Sequence, residues 1–237
     1  MSGSRLIVAL DFATAAEARA FAARVTPAQC RLKVGIELFT TAGPALVSEL
    51  AGRGFDVFLD LKYHDIPNTV ARACARVANL GAWMLSVHTL GGRRMLEAAR
   101  AAVDQATHRP LLIGVTVLTS HEENDMVDLG LSRDIGAQVE RLAQLAQNCR
   151  LDGVVCSPRE VERLRQRCGK NFSLITPGIR PADAPADDQR RTLTPGEAIM
   201  RGADYLVIGR PVTRAPDPAA VLAQIADDIR QSSRIPG

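Results

Sequence analysis

An alternation constrains this chain more than any other feature. Eight short apolar, often β-branched runs recur along it: Leu6–Leu10, Leu32–Val34, Val57–Leu61, Met84–Val87, Leu112–Val117, Gly153–Val155, Ser173–Ile175 and Tyr205–Ile208. Between and after them lie longer amphipathic stretches rich in Ala and Arg, at Ala15–Arg24, Pro44–Arg53, Thr69–Asn79, Arg93–Ala106, Ile135–Gln147, Arg159–Cys168, Pro195–Arg201 and Pro218–Arg230. Strand-like and helix-like segments in strict alternation predict a parallel sheet covered by helices. Eight such repeats in 237 residues match a (β/α)8 TIM barrel, whose usual length is roughly 250 residues. The count favours closure over an open doubly wound sheet, and Gly153–Val155 carries the weakest strand signal. No Pro/Gly/Ser-rich linker divides the chain, so residues 1–237 read as a single barrel domain, with the polar stretch from Pro181 to Thr194 as a loop.

Charge and cysteine content narrow the class. The formal net charge is +3 and aromatic residues make up 4%. Neither fits a nucleic-acid binder, which shows a basic stripe and stacking platforms. A small anionic ligand remains compatible. The five cysteines, Cys30, Cys74, Cys149, Cys156 and Cys168, are odd in number and never spaced C-x-x-C, which reads as free thiols in a reducing compartment. The first apolar run is only five residues long, too short for a signal-peptide core or a membrane span. These features predict a cytoplasmic protein with no membrane association.

In such a barrel the active site lies at the C-terminal ends of the strands. Those ends carry Asp11, Lys33, Asp60 with Lys62, His88, Thr119 with Ser120, Ser157, Arg180 and Arg210. The third is the most informative. Side chains alternate across a strand, so Asp60 and Lys62 share one face while Leu61 points to the other. If Leu59 and Leu61 face the helices, a carboxylate and an ammonium face the barrel interior, where each is costly unless paired. An ion pair capping the barrel is the structural alternative to a reactive site. With Asp11 and Lys33 the pair would become an array of alternating charge. An ammonium held there can give a proton to carbon and stabilise developing negative charge. A neighbouring carboxylate would repel a substrate carboxylate about to leave as CO2. Decarboxylation fits, and no cofactor or metal signature competes.

The loops after strands 7 and 8 carry a second pattern. Thr176-Pro-Gly-Ile-Arg180 and Ile208-Gly-Arg-Pro-Val-Thr213 place a glycine and an arginine at the usual phosphate position of these barrels. Gly178 and Gly209 would let backbone N–H groups approach an anion, and Arg180 and Arg210 would grip its oxygens. Turn glycines with solvated arginines are the plain alternative.

The run Asp60-Leu-Lys-Tyr-His-Asp-Ile-Pro-Asn-Thr69 resembles the D-x-K-x-x-D-I-P-x-T signature of the orotidine 5′-phosphate decarboxylases, in their bacterial short-chain form. Supporting blocks occur in the family's order over almost the whole chain: VALDF, LKVG, SVH, VTVLTS, TPGIRP, DQRR and GADYLVIGRPVTRAPDP. The resemblance implies conversion of orotidine 5′-phosphate to uridine 5′-phosphate, the last step of de novo pyrimidine synthesis, without cofactor. It implies Lys62 as proton donor to C6, Asp60 beside the departing carboxylate, and Lys33 binding ribose and holding the charge array. It implies a homodimer in which Asp65 and Thr69 reach into the partner's site. Asp11 would bind ribose hydroxyls and Thr119, with Ser120 as a candidate, would lie near the pyrimidine. Ile66 would form an apolar wall. Arg180, Gln189, Gly209 and Arg210 would hold the phosphate, and the loop from Pro181 to Asp188 would close over it. Related sugar-phosphate decarboxylases and hexulose-phosphate synthases share the D-x-K-x-x-D segment but look metal-dependent, with a carboxylate where this chain has Lys33. The LTS, DQRR and IPNT blocks favour the nucleotide enzyme.

Trp83 and Tyr205 read as packing residues, Pro67 as shaping the turn before its helix, and Ser157 with Pro158 as an N-cap and first helical position. His108 and His121 have no partner set resembling a metal site.

Overall fold

In a computed structural model, residues 4–180 and 193–232 are described. The strands are β1 (Leu6–Ala9), β2 (Arg31–Gly35), β3 (Val57–Tyr63), β4 (Met84–His88), β5 (Leu111–Val115), β6 (Gly153–Val155), β7 (Ser173–Thr176) and β8 (Tyr205–Ile208). Each pairs in parallel with the next, and β8 closes on β1, giving a barrel in sequence order. The helices are α1 (Ala15–Ala22), α2 (Ile36–Ala42), α3 (Pro44–Gly52), α4 (Pro67–Ala78), α5 (Gly92–Asp104), α6 (Glu123–Asp128), α7 (Ile135–Asn148), α8 (Val161–Cys168), α9 (Pro195–Met200), α10 (Arg210–Thr213) and α11 (Pro218–Ser232). The fold is the expected (β/α)8 barrel. The short α2, α6 and α10 fall where no periodicity marked a helix. They are at most seven residues long, too brief to show a period.

Alternation along the strands builds two cores. Ile7, Ala9, Phe58, Met84, Ile113, Ile175 and Val207 point inward and fill the barrel. Their neighbours Leu6, Val8, Val57, Leu59, Leu85, Leu112, Leu174 and Leu206 point outward into the larger core beneath the helices. The N-terminal end is plugged by Arg31, whose guanidinium lies 4.4 Å from the Trp83 ring and 5.2 Å from the Tyr205 ring. Both aromatics are thus packing residues, as the sequence suggested.

The same end uses one device twice. Asp152 accepts the Leu112 N–H at 2.8 Å and pairs with buried Arg100 of α5 at 2.7 Å. Asp204 accepts the Leu174 N–H at 2.8 Å and pairs with Arg165 of α8. Each aspartate precedes a strand by one residue, satisfies the second amide of another strand and ties it to a helix. These contacts fix strand starts and leave the opposite ends to hold the site.

β6 spans Gly153–Val155 as expected, and a Cβ on Gly153 would lie 2.2 Å from the Ser173 carbonyl oxygen, so close strand approach excludes the larger residues that mark strands in sequence. Ser157 does not cap α8. Its hydroxyl bonds the Glu160 carboxylate within a turn, and the helix begins at Val161. Pro67 does open α4, at its first position.

Candidate active site

The charged residues of β1, β2 and β3 meet at the barrel mouth. Lys62 Nζ lies 2.8 Å from Asp60 Oδ2, and Lys33 Nζ lies 3.6 Å from the same oxygen. Lys33 Nζ also reaches Asp11 Oδ1 at 3.4 Å. The result is a row, Asp11–Lys33–Asp60–Lys62, of alternating sign. Asp60 and Lys33 have side chains only 11% and 12% exposed, whereas Asp11 is 66% exposed, so the row runs from solvent to a desolvated centre. Burial alone would raise the Asp60 pKa. The Lys33 and Lys62 ammoniums, with hydrogen bonds from Lys62 and Ser86, outweigh it and hold the carboxyl below its ordinary value.

The strand delivers this geometry with an irregularity. Leu59 pairs with Leu85, but the next paired residue is Tyr63, opposite Val87, so β3 bulges between them. Lys62 sits in that bulge with φ 52°, in the left-handed region that non-glycine residues seldom occupy. Asp60 and Lys62 do share the interior face, as alternation required, yet the bulge rather than a regular pleat aims the lysine. Gly35 matters here too. A Cβ at that position would lie 3.1 Å from Lys33 Nζ, so the glycine leaves room for the ammonium.

The array forms one wall of a cavity of about 300 Å³. Its floor is the upper layer of the inner core, including Ala9, Phe58, Val155, Ile175 and Val207. The lining also includes Gly178 and Arg180 after β7, Gly209 and Arg210 after β8, and Thr119 from the loop after β5. Gly178 has φ 78°, a conformation that favours glycine. Arg180 N–H donates to the Leu193 carbonyl at 3.0 Å, pairing the chain on either side of the undescribed segment. The cavity can therefore hold a ligand with a compact anion at one end and a reacting carbon at the other. Gln189 and the 181–188 loop lie outside the described residues.

Asp65, Ile66 and Thr69 do not line this cavity. Asp65 is exposed, with its carboxylate accepting the Ile66 N–H at 2.6 Å, and Ile66 is 67% exposed. Ser120 lines a neighbouring cleft of about 500 Å³ with His121 and Glu122, and not the first cavity. His88 lines neither; its Nδ1 accepts the Leu90 N–H at 3.4 Å, and its ring stacks on His64 with centroids 5.5 Å apart. Burial, with His64, His121 and Lys62 nearby, pushes the His88 pKa down to about 4, so the ring is neutral near neutrality. Among the described residues, no group of three or more His, Cys, Asp or Glu side chains is placed to hold a metal ion. All five cysteines are buried and unpaired.

One polar residue at this site carried no sequence signal. Ser86 of β4, wholly buried, donates to Asp60 Oδ1 at 2.8 Å and accepts the Lys62 backbone N–H at 2.9 Å. Serine is common in loops and strands alike, and only its inward register two residues before His88 could have hinted at the contact.

Comparison with known proteins matches this arrangement to one family. Residues 4–225 fit the model described as Orotidine 5'-phosphate decarboxylase / HUMPS family. A protein of Laribacter hongkongensis named orotidine 5′-phosphate decarboxylase is 60% identical over 222 residues, 94% of this chain and 91% of that one. One of the same name from Chromobacterium violaceum is 58% identical over 226 residues, 95% and 92% of the two chains. The crystal structure of orotidine 5′-phosphate decarboxylase from Lactobacillus acidophilus superposes with a TM-score of 0.85 at 36% identity, covering 94% of this chain and 98% of that one. With its barrel, its charged row and this degree of identity over nearly its whole length, the chain belongs to the orotidine 5′-phosphate decarboxylase family.

Proposed function

We propose that this protein converts orotidine 5′-phosphate to uridine 5′-phosphate and CO2, with Lys62 as the proton donor and no cofactor. The observation that carries the reading is the Lys33–Asp60–Lys62 row, centred on a buried Asp60, in a cavity that Arg180, Gly209 and Arg210 also line. The phosphate lies against the two arginines and the ribose against Asp11 and Lys33. The pyrimidine is then directed to the array, with Thr119 beside it. The bond between C6 and the carboxyl carbon breaks and its electron pair stays on C6. Lys62, hydrogen-bonded to Asp60 at 2.8 Å, delivers a proton to that carbon. Asp60, kept ionised by its two cations, faces the departing carboxylate.

Binding energy from the phosphate end supports chemistry at the far end of the ligand. Gln189 and the 181–188 loop complete the phosphate contacts in this reading. The Lys33 ammonium fills the space between Asp11 and Asp60, so the two carboxylates already share a cation, which argues for the nucleotide branch over a metal-dependent one. Asp65 and Ile66, exposed, and half-buried Thr69 complete the site of a second copy in a homodimer. The setting is the cytoplasm, and among the described residues no helix is long and apolar enough to cross a membrane.

The test follows the ultraviolet absorbance of orotidine 5′-phosphate with purified protein in excess EDTA. Conversion to uridine 5′-phosphate supports reaction, substrate and metal independence together. Silence there, with magnesium-dependent activity on a sugar phosphate, moves the protein to the other branch.

A further inference from the structure

Lys62 is the residue whose backbone is least comfortable in the site, and Ser86 is the group that holds it. A non-glycine residue in the left-handed region is strained and persists only where its surroundings over-determine it. At φ 52° Lys62 directs its N–H at Ser86 Oγ, 2.9 Å away. The same hydroxyl donates to Asp60 Oδ1 at 2.8 Å, while Asp60 Oδ2 takes the Lys62 ammonium at 2.8 Å and faces Lys33 at 3.6 Å. One buried hydroxyl therefore closes a ring: Lys62 backbone to Ser86, Ser86 to Asp60, Asp60 to the Lys62 side chain. Its proton is committed to the carboxylate, which leaves its lone pairs for the amide. Ser86 stands wholly buried on β4, a strand that neither supplies a charge to the row nor lines the cavity.

We infer that Ser86 is a positioning residue, fixing the Asp60 carboxylate against the strained Lys62 backbone so that the ammonium keeps one aim. The inference rests on the proposed decarboxylation. Ser86 touches no reacting atom and acts through the two residues that do. The charged groups facing Asp60 are Lys33 of β2 and Lys62 of its own strand. Asp11, two residues after β1, lies beyond Lys33, and neutral His88 of β4 interacts with Lys62. With those cations unchanged, removing the Ser86 proton takes one hydrogen bond from the ionised carboxylate and raises its pKa.

Ser86→Ala and the near-isosteric Ser86→Cys test this. Both are assayed for kcat and KM against pH, and for affinity for uridine 5′-phosphate. The expected result is a folded protein with near-wild-type product affinity and KM, and a kcat lower by about tenfold or more in the alanine variant. The acid limb of its kcat profile moves up by about one pH unit. The cysteine variant, a weaker donor, falls between. Unchanged kcat and acid limb would overturn the inference. So would loss of product affinity in step with kcat, or failure of both variants to fold, since either outcome makes the hydroxyl a packing or folding group. Wild-type protein inert on orotidine 5′-phosphate would instead overturn the functional reading beneath it.

Discussion

Arg210 and His88 show how differently two polar residues at one barrel mouth are used. Arg210 lines the cavity from the C-terminal end of β8. A guanidinium on a phosphate makes a charge-assisted contact of about 1.5–3 kcal/mol, so Arg210→Ala is expected to raise KM for the nucleotide by roughly 10- to 100-fold. Unchanged steady-state kinetics would remove Arg210 from the site. His88 works through burial instead. Its folded pKa, about 4, lies below the ordinary value of 6.5. Between those values the unfolded chain binds a proton that the folded protein refuses, so His88 costs stability as pH falls from 6.5 towards 4 and nothing above that window. His88→Gln should flatten this part of the profile, read as urea midpoints at a series of pH values. A parallel profile in variant and wild type would show that the ring is not held neutral.

Among the elements, β3 carries two of the four charges of the row, and the strand starts tie the sheet to the helices. Buried Arg100, 5% exposed, is held by Asp152 and Asp104, and Asp152 also accepts the Leu112 N–H of the neighbouring strand. Asp152→Ala would leave the Leu112 N–H without its acceptor and Arg100 with Asp104, 2.9 Å away, as its remaining carboxylate. It is expected to lower stability by about 2 kcal/mol in chemical denaturation, while kcat at permissive temperature stays unchanged, because the contact lies at the barrel end remote from the site. A stability loss below about 0.5 kcal/mol would show that the pair is replaceable. The opposite end is organised by irregularity. The bulge in β3 holds Lys62, and the short helix α10 directly follows β8 and opens with Arg210.

For the whole molecule, the question is whether one chain makes a complete site. Asp11, Lys33, Asp60, Lys62, Thr119, Arg180, Gly209 and Arg210 converge within a single barrel. Asp65, Ile66 and Thr69 do not, although they share the signature run. If Asp65 serves a second copy, Lys62→Ala and Asp65→Ala homodimers are each inactive. Mixing and re-equilibrating them in equal amounts then regenerates one intact site per mixed dimer, about a quarter of wild-type activity. No activity above the sum of the separate variants would place Asp65 in its own chain's site or outside any site.

The amino-acid sequence by itself determined the barrel, because a period of strand then helix repeated eight times leaves few other ways to bury both faces of each strand. It also marked the charged residues that gather at the barrel mouth, since charges at strand ends that alternate in sign have few uses other than pairing or catalysis. Only the tertiary structure decided how they are held. The bulge that aims Lys62, the room that Gly35 leaves for Lys33 and the Ser86 bridge all depend on the register between β2, β3 and β4. Register is a relation between segments 24 and more residues apart, and no local pattern encodes it.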